Sequence, residues 1–167
     1  MENSLKETVD FSLRRDETAR HNILWFEEAL RTLPDAVDAT SELVPLRHTF
    51  ADGLYVRELR LPKHFVFTGK LHKYAYPLFV LQGEVVMFAE STGMIHHRAP
   101  SYIITPPGTK RVGYTLQETI IVTIHRTDET DLGRIEAEII APDYVALDAF
   151  FATQARIEER RNVPCPG

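Results

Sequence analysis

The chain has a single cysteine, Cys165 in the closing VPCPG, and no apolar run near the roughly 20 residues of a membrane-spanning helix. One cysteine excludes an internal disulfide, and it also excludes a cysteine-rich zinc site. The opening MENSLKETVDFSLRR lacks a basic start followed by an apolar core, so no secretory leader is read there and a cytoplasmic location is expected. Positive charge is in deficit. Nineteen Lys and Arg stand against 24 Asp and Glu, a net charge of −5, which disfavours nonspecific nucleic-acid binding. No nucleic-acid motif, internal repeat or strong low-complexity tract is present. What remains is the composition of a soluble globular protein, 44% hydrophobic and 26% charged over 167 residues, enough to bury the core of one domain.

The pattern along the chain changes twice. DETARHNILWFEEALRTLP sets Ile23, Phe26, Leu30 and Leu33 at helical spacing, with Asp16 as N-cap, Pro34 as stop, and Trp25 and Ala29 widening the apolar face. This helix is expected to dock on the main body or on a second copy of the chain. After the polar connector DAVDATSELVPL come eight short runs rich in Val, Ile, Tyr, Phe and Thr, among them LYVRELRL, PLFVLQG and TIIVTIHR, punctuated by glycine and proline. Several are apolar at consecutive positions, as strands covered on both faces are. The helical period then returns. Leu132, Ile135 and Ile139 form one stripe ended by Pro142, and Leu147, Phe150 and Phe151 form another. The expected fold is mainly β, a jelly-roll β-barrel (41–128) with an N-terminal helical arm (1–40) and two C-terminal helices and a tail (129–167), all one folding unit.

The residues able to do chemistry fall into two groups. His72, Tyr76 and His125 form one, and Tyr55, Arg57, Lys110 and Arg111 the other. His125 shares strand parity with Ile121 and Thr123, and Tyr55 and Arg57 share parity with Leu59 and Leu61. If those faces point inward, ionisable groups line the barrel mouth. A buried arginine needs a counter-charge, so Arg57 and Arg111 call for Glu58, Glu118, Glu129 or an anionic ligand nearby. Imidazole suits transition metals, which makes His72 and His125 the candidate metal ligands, with a hydrogen-bonded wall histidine as the alternative for each. Adjacent strand residues face opposite ways, so His96 and His97 do not chelate together. His21 and His64 read as surface or helix-packing residues.

The stretch GKLHKYAYPLFVLQGEV, residues 69 to 85, and the turn PPGTKR, residues 106 to 111, resemble the two motifs of the cupins. The likeness runs from about residue 45 to 126. Gly83 matches the turn glycine of the first motif, and Pro106 and Gly108 match the Pro-X-Gly of the second. Cupins hold a metal on three histidines and one glutamate. Here His72 stands at the second histidine, while Lys70, Tyr76 and Arg111 occupy the other three ligand positions. RHTFADGLYVREL, TGKLHK, PPGTKRVGY and VTIHRTDETDL further resemble short cupin-like proteins encoded in bacteriophage genomes, in which the position of Tyr76 is often histidine. The resemblance implies a degenerate cupin that self-associates, non-catalytic or weakly binding a metal or ligand through the barrel mouth. A metal-dependent enzyme, isomerase- or oxygenase-like, acting on a small anionic substrate is the alternative. The sequence leaves the cofactor open, with one divalent transition metal as the candidate. The expected partners are further copies of the chain, other phage particle proteins or a small anionic ligand, with no nucleic acid and no membrane. The expected location then includes the virion as well as the host cytoplasm.

Overall fold

In the computed structural model the described residues are 17–38 and 41–161. Asp16, Cys165 and the rest of the terminal segments lie outside them. Helix α1 spans Glu17–Arg31 and ends three residues before Pro34. Ten strands follow: β1 (Leu46–Ala51), β2 (Leu54–Leu61), β3 (Val66–Thr68), β4 (Leu71–His72), β5 (Tyr76–Gln82), β6 (Glu84–Ala89), β7 (Gly93–Arg98), β8 (Ser101–Thr105), β9 (Arg111–Thr115) and β10 (Thr119–Arg126). Helix α2 (Leu132–Ile139), the short strand β11 (Ile140–Ala141) and helix α3 (Tyr144–Arg161) complete the described chain.

Nine of the strands fall into two sheets whose order reveals how the chain is folded. One sheet runs β1-β2-β10-β5-β8, the other β3-β9-β6-β7, and all pairings are antiparallel. Leaving β1 and β4 aside, the first of the eight pairs with the last (β2 with β10), the second with the seventh (β3 with β9), the third with the sixth (β5 with β8) and the fourth with the fifth (β6 with β7). That is a chain doubled back on itself and then rolled, the jelly-roll topology. The expected barrel is two facing sheets, with β4 and β11 forming a separate two-stranded ladder at one end.

The core lies between the sheets. Leu61, Tyr76, Leu78, Val80 and Ile121 from one side meet Val85 and Met87 from the other, with Val44 closing the group. The tight junctions are set by glycines. Gly83 turns β5 into β6 at φ 81°, where a Cβ would stand 2.1 Å from the Glu118 carbonyl oxygen. Gly113 in β9 leaves room for the Phe67 ring, 2.2 Å from where its Cβ would be.

The helices are pinned to this body by charge as well as by packing. Ile23 of α1 is buried, and Glu27 accepts hydrogen bonds from Lys110 Nζ (2.7 Å) and Thr68 Oγ1 (2.8 Å), while Arg20 bonds Glu90 (3.0 Å). The helix therefore docks on its own chain. Trp25 departs from expectation: it is 67% exposed and Leu33 53%, because Ile23 with the half-buried Phe26 and Leu30 defines the docked face. In α2, Asp131 caps the N-terminus by accepting from the Arg134 amide, and Ile135 and Ile139 are buried whereas Leu132 is exposed. Helix α3 buries Leu147 against Leu71 and Ala141.

Candidate functional site

Along the inner face of the five-stranded sheet, character changes from one end to the other. Leu59, Leu61, Ile121 and Val80 fill one end with hydrocarbon. Continuing along the same strands, β2 presents Arg57 and Tyr55, β10 presents Thr123 and His125, and β5 begins with Tyr76. Register places them side by side, since Thr123 pairs with Arg57, and His125 with Tyr55. His72 reaches the same place from β4, which α2 and β11 hold across the end through the Ile140–His72 pairing.

These side chains make one aromatic cluster. His72 and His125 stack with planes 5° apart and centroids 4.9 Å apart, and Tyr76 lies 4.2 Å from His72 and 4.8 Å from His125. Tyr55 lies 5.9 Å from His125, and its hydroxyl is 2.7 Å from His48 Nδ1. His125 Nε2 is 3.1 Å from Thr123 Oγ1. His72 Nδ1 is buried without a hydrogen-bond partner.

The electrostatics of the cluster are one-sided. Burial, followed by the field of His125 and the arginines Arg57 and Arg111, pushes the His72 imidazole down to about 2. Burial and Arg57 push His125 down to about 4. Burial, with Arg57 adding to it, also lowers His48, and burial raises the Tyr55 phenol. Every imidazole here is therefore neutral near pH 7. The arginines enter from opposite sheets. Arg111 is buried, donates to Thr105 Oγ1 at 2.9 Å and lies 3.7 Å from Met87 Sδ. Arg57 is half-buried and lowered by that burial, and among the described residues its guanidinium has no hydrogen bond and no carboxylate within ion-pairing distance.

The carboxylates proposed as partners of the arginines lie elsewhere. Glu58 pairs with Arg60, Glu129 with Arg134, and Glu118 accepts from Gln82. Glu136 of α2, whose field reaches Arg57, is bound to Lys70. Lys110 stands apart from the cluster, because its buried ammonium is satisfied by Glu27 of α1. Of the seven candidates, then, His72, Tyr76, His125, Tyr55 and Arg57 come together, Arg111 borders them, and Lys110 is part of the α1 clamp. His48 belongs to the site and was missed from sequence. The signal was there in HTFADGLY, since a two-residue Asp52-Gly53 turn pairs Ala51 with Leu54 and counting back sets His48 opposite Arg57.

A resident transition metal fits this donor set poorly. The lone pairs of two imidazoles lie in their ring planes, and stacked parallel rings do not aim them at one point as crossing planes do. Two guanidinium groups also act on His72, a field that disfavours a dication. Among the described residues no group of three or more His, Cys, Asp or Glu side chains is arranged to hold a metal ion.

No family model and no curated protein matches the chain. Solved structures do. They include a cupin superfamily protein from Desulfitobacterium hafniense, 14% identical, matched over 57% of this chain and 90% of that one with a TM-score of 0.45. KdgF from Halomonas sp. is 10% identical over 57% and 88% of the two chains, with a TM-score of 0.47. An RmlC-like cupin family protein with a double-stranded β-helix fold from Methanocaldococcus jannaschii is 8% identical over 54% and 85%, with a TM-score of 0.43. Such likenesses, with TM-scores below 0.5, assign no chemistry to this chain.

Proposed function

We propose that the chain is a non-catalytic binding module for a small anion, a carboxylate or phosphate, held by Arg57 at the polar end of the inner face. The supporting observation is the guanidinium of Arg57, directed among Tyr55, Tyr76 and His125 with no carboxylate to neutralise it among the described residues. A cation shielded from water and left unpaired is costly, and an anionic ligand removes that cost while gaining a charge-assisted, bidentate hydrogen bond. Neutral His72, with its buried Nδ1 unpartnered, adds a neutral hydrogen-bonding group to the same wall.

The histidines support binding without catalysis. A general base works best with a pKa near the operating pH, and imidazoles at about 2 and about 4 are too weakly basic to take a proton at pH 7. The second reading, a metal-assisted enzyme, draws on the same orphaned Nδ1 and on two imidazoles already in the neutral form that metals bind. The count and orientation of donors weigh against it.

The test is thermal unfolding and calorimetry with inorganic phosphate, malonate, citrate and benzoate, on wild type and Arg57→Gln. A ligand at 100 times its Kd stabilises the folded chain by ~2.7 kcal/mol, and Arg57→Gln should abolish that response. A wild type indifferent to every anion, yet purified with stoichiometric metal that is lost in His72→Ala, would favour the enzyme.

A further inference from the structure

The outer face of the five-stranded sheet is largely apolar, and no helix among the described residues covers it. Its side chains alternate with those of the site: Val56 on β2, Ile120, Val122 and Ile124 on β10, Phe79 and Leu81 on β5, and Tyr102 and Ile104 on β8. Tyr102 is 68% exposed and Leu81 55%, and Phe79 lies against Tyr102 at 5.8 Å between centroids. The three helices pack elsewhere, α1 through Glu27 and Arg20 onto Thr68, Lys110 and Glu90, α2 onto Tyr55, and α3 onto Leu71 and Ala141.

We infer that this face is the contact surface between two copies of the chain, packed sheet to sheet about a two-fold axis. Three observations favour a second copy as the occupant. The tract is contiguous across four strands and presents on the order of 500 Å² of apolar surface, at the upper end of what a lone monomer leaves bare. With a polar border added, it approaches the ~800 Å² per partner of a stable interface. The border carries both signs, Arg47, Glu58 and Arg60 on β1 and β2, and an isologous pair needs both signs on one patch because each patch meets itself. A surface of one sign would instead suit an anionic lipid or nucleic acid. The interface lies on the face opposite to the Arg57 cluster, so it neither uses nor blocks that site. It also differs from the helical-arm contact that the amphipathic ends of the sequence suggest.

The experiment is absolute mass by light scattering and sedimentation on the full chain from 5 to 200 µM. Wild type should run as a dimer. Tyr102→Glu and Leu81→Lys, at exposed positions, should shift it to monomer with an unchanged circular dichroism spectrum, whereas Met94→Glu, 74% exposed on β7 of the other sheet, should leave it dimeric. Should either charged variant precipitate, Tyr102→Ser and Leu81→Ser provide the same reading, with dimer affinity weakened at least tenfold. A wild-type monomer at 200 µM overturns the inference. So does a dimer that survives the sheet-face variants but dissociates in Trp25→Glu, which would assign the contact to α1.

Discussion

Replacing Arg57 with methionine separates the two effects of its guanidinium. The methionine keeps an apolar stem at the same position on β2 and removes the charge that nothing among the described residues neutralises. Burial of an unpaired ion carries a penalty of several kcal/mol, reduced here because Arg57 keeps part of its surface in water, so the variant should gain about 1–2 kcal/mol of stability. For a domain of this size each kcal/mol moves the midpoint by about 2–4 °C, giving a rise of about 2–8 °C in a buffer free of phosphate and carboxylates. The thermal response to anions should vanish in the same protein. His125 should titrate higher by NMR, moving from about 4 part of the way towards 6.5, since Arg57 is the second cause of its depression after burial. A variant that unfolds earlier than wild type in anion-free buffer, or one that still responds to anions, would refute the reasoning.

Other expected outcomes follow from the same contacts. Glu27→Ala leaves the Lys110 ammonium buried and unpaired and should cost about 3–5 kcal/mol in urea unfolding, most of it recovered in Glu27→Ala/Lys110→Met. Burial works to raise the Glu27 carboxyl, but hydrogen bonds from Lys110 and Thr68 outweigh it, so this contribution is full above the ordinary carboxylate range and is lost as pH falls through the lowered value. For the two histidines the folded values also lie below the unfolded one of 6.5. Below pH 6.5 the unfolded chain takes up protons that the folded chain refuses, and stability should fall by about 1.4 kcal/mol per pH unit for each histidine, until His125 titrates at about 4 and His72 at about 2. Flat stability between pH 7 and 5 would contradict their burial. Gly83→Ala forces a Cβ onto the Glu118 carbonyl at positive φ and should cost more than about 2 kcal/mol by chemical denaturation, whereas Trp25→Ala, on the exposed side of α1, should stay within about 0.5 kcal/mol.

The strands were legible in sequence because their composition and punctuation are local properties. LYVRELRL, PLFVLQG and TIIVTIHR became β2, β5 and β10 almost to the residue, and strand parity alone correctly set His96 and His97 on opposite faces, the first exposed and the second buried. The meeting of His72, Tyr76 and His125 was less legible. It depends on β4 being carried across the end of the sheet by β11, a two-residue pairing across nearly 70 positions that leaves no periodic trace. The Glu27–Lys110 pair, 83 residues apart, is of the same kind. Sequence parity put Arg57 on one face with Leu59 and Leu61 but could not say which carboxylates would accompany it, because Glu58 lies on the opposite face of the same strand and Glu129 belongs to the approach to α2. Trp25 misled for a different reason: hydrophobicity marks a residue that can be buried, and the docked face is the one that joins Ile23 to Arg20 and Glu27, with their partners on the body.

Strand β10 is paired on both sides, whereas among the described residues β1 is joined to the sheet only through β2. The two histidines that flank Tyr55 thus stand on backbones of unequal permanence. Amide protons around His125 should be among the slowest to exchange, and those around His48 among the fastest, as the outer hairpin parts from β2 without the core giving way. The His125 side of the cluster should keep its shape while the His48 side opens, which would give Arg57 a way to meet solute that costs far less than unfolding the domain.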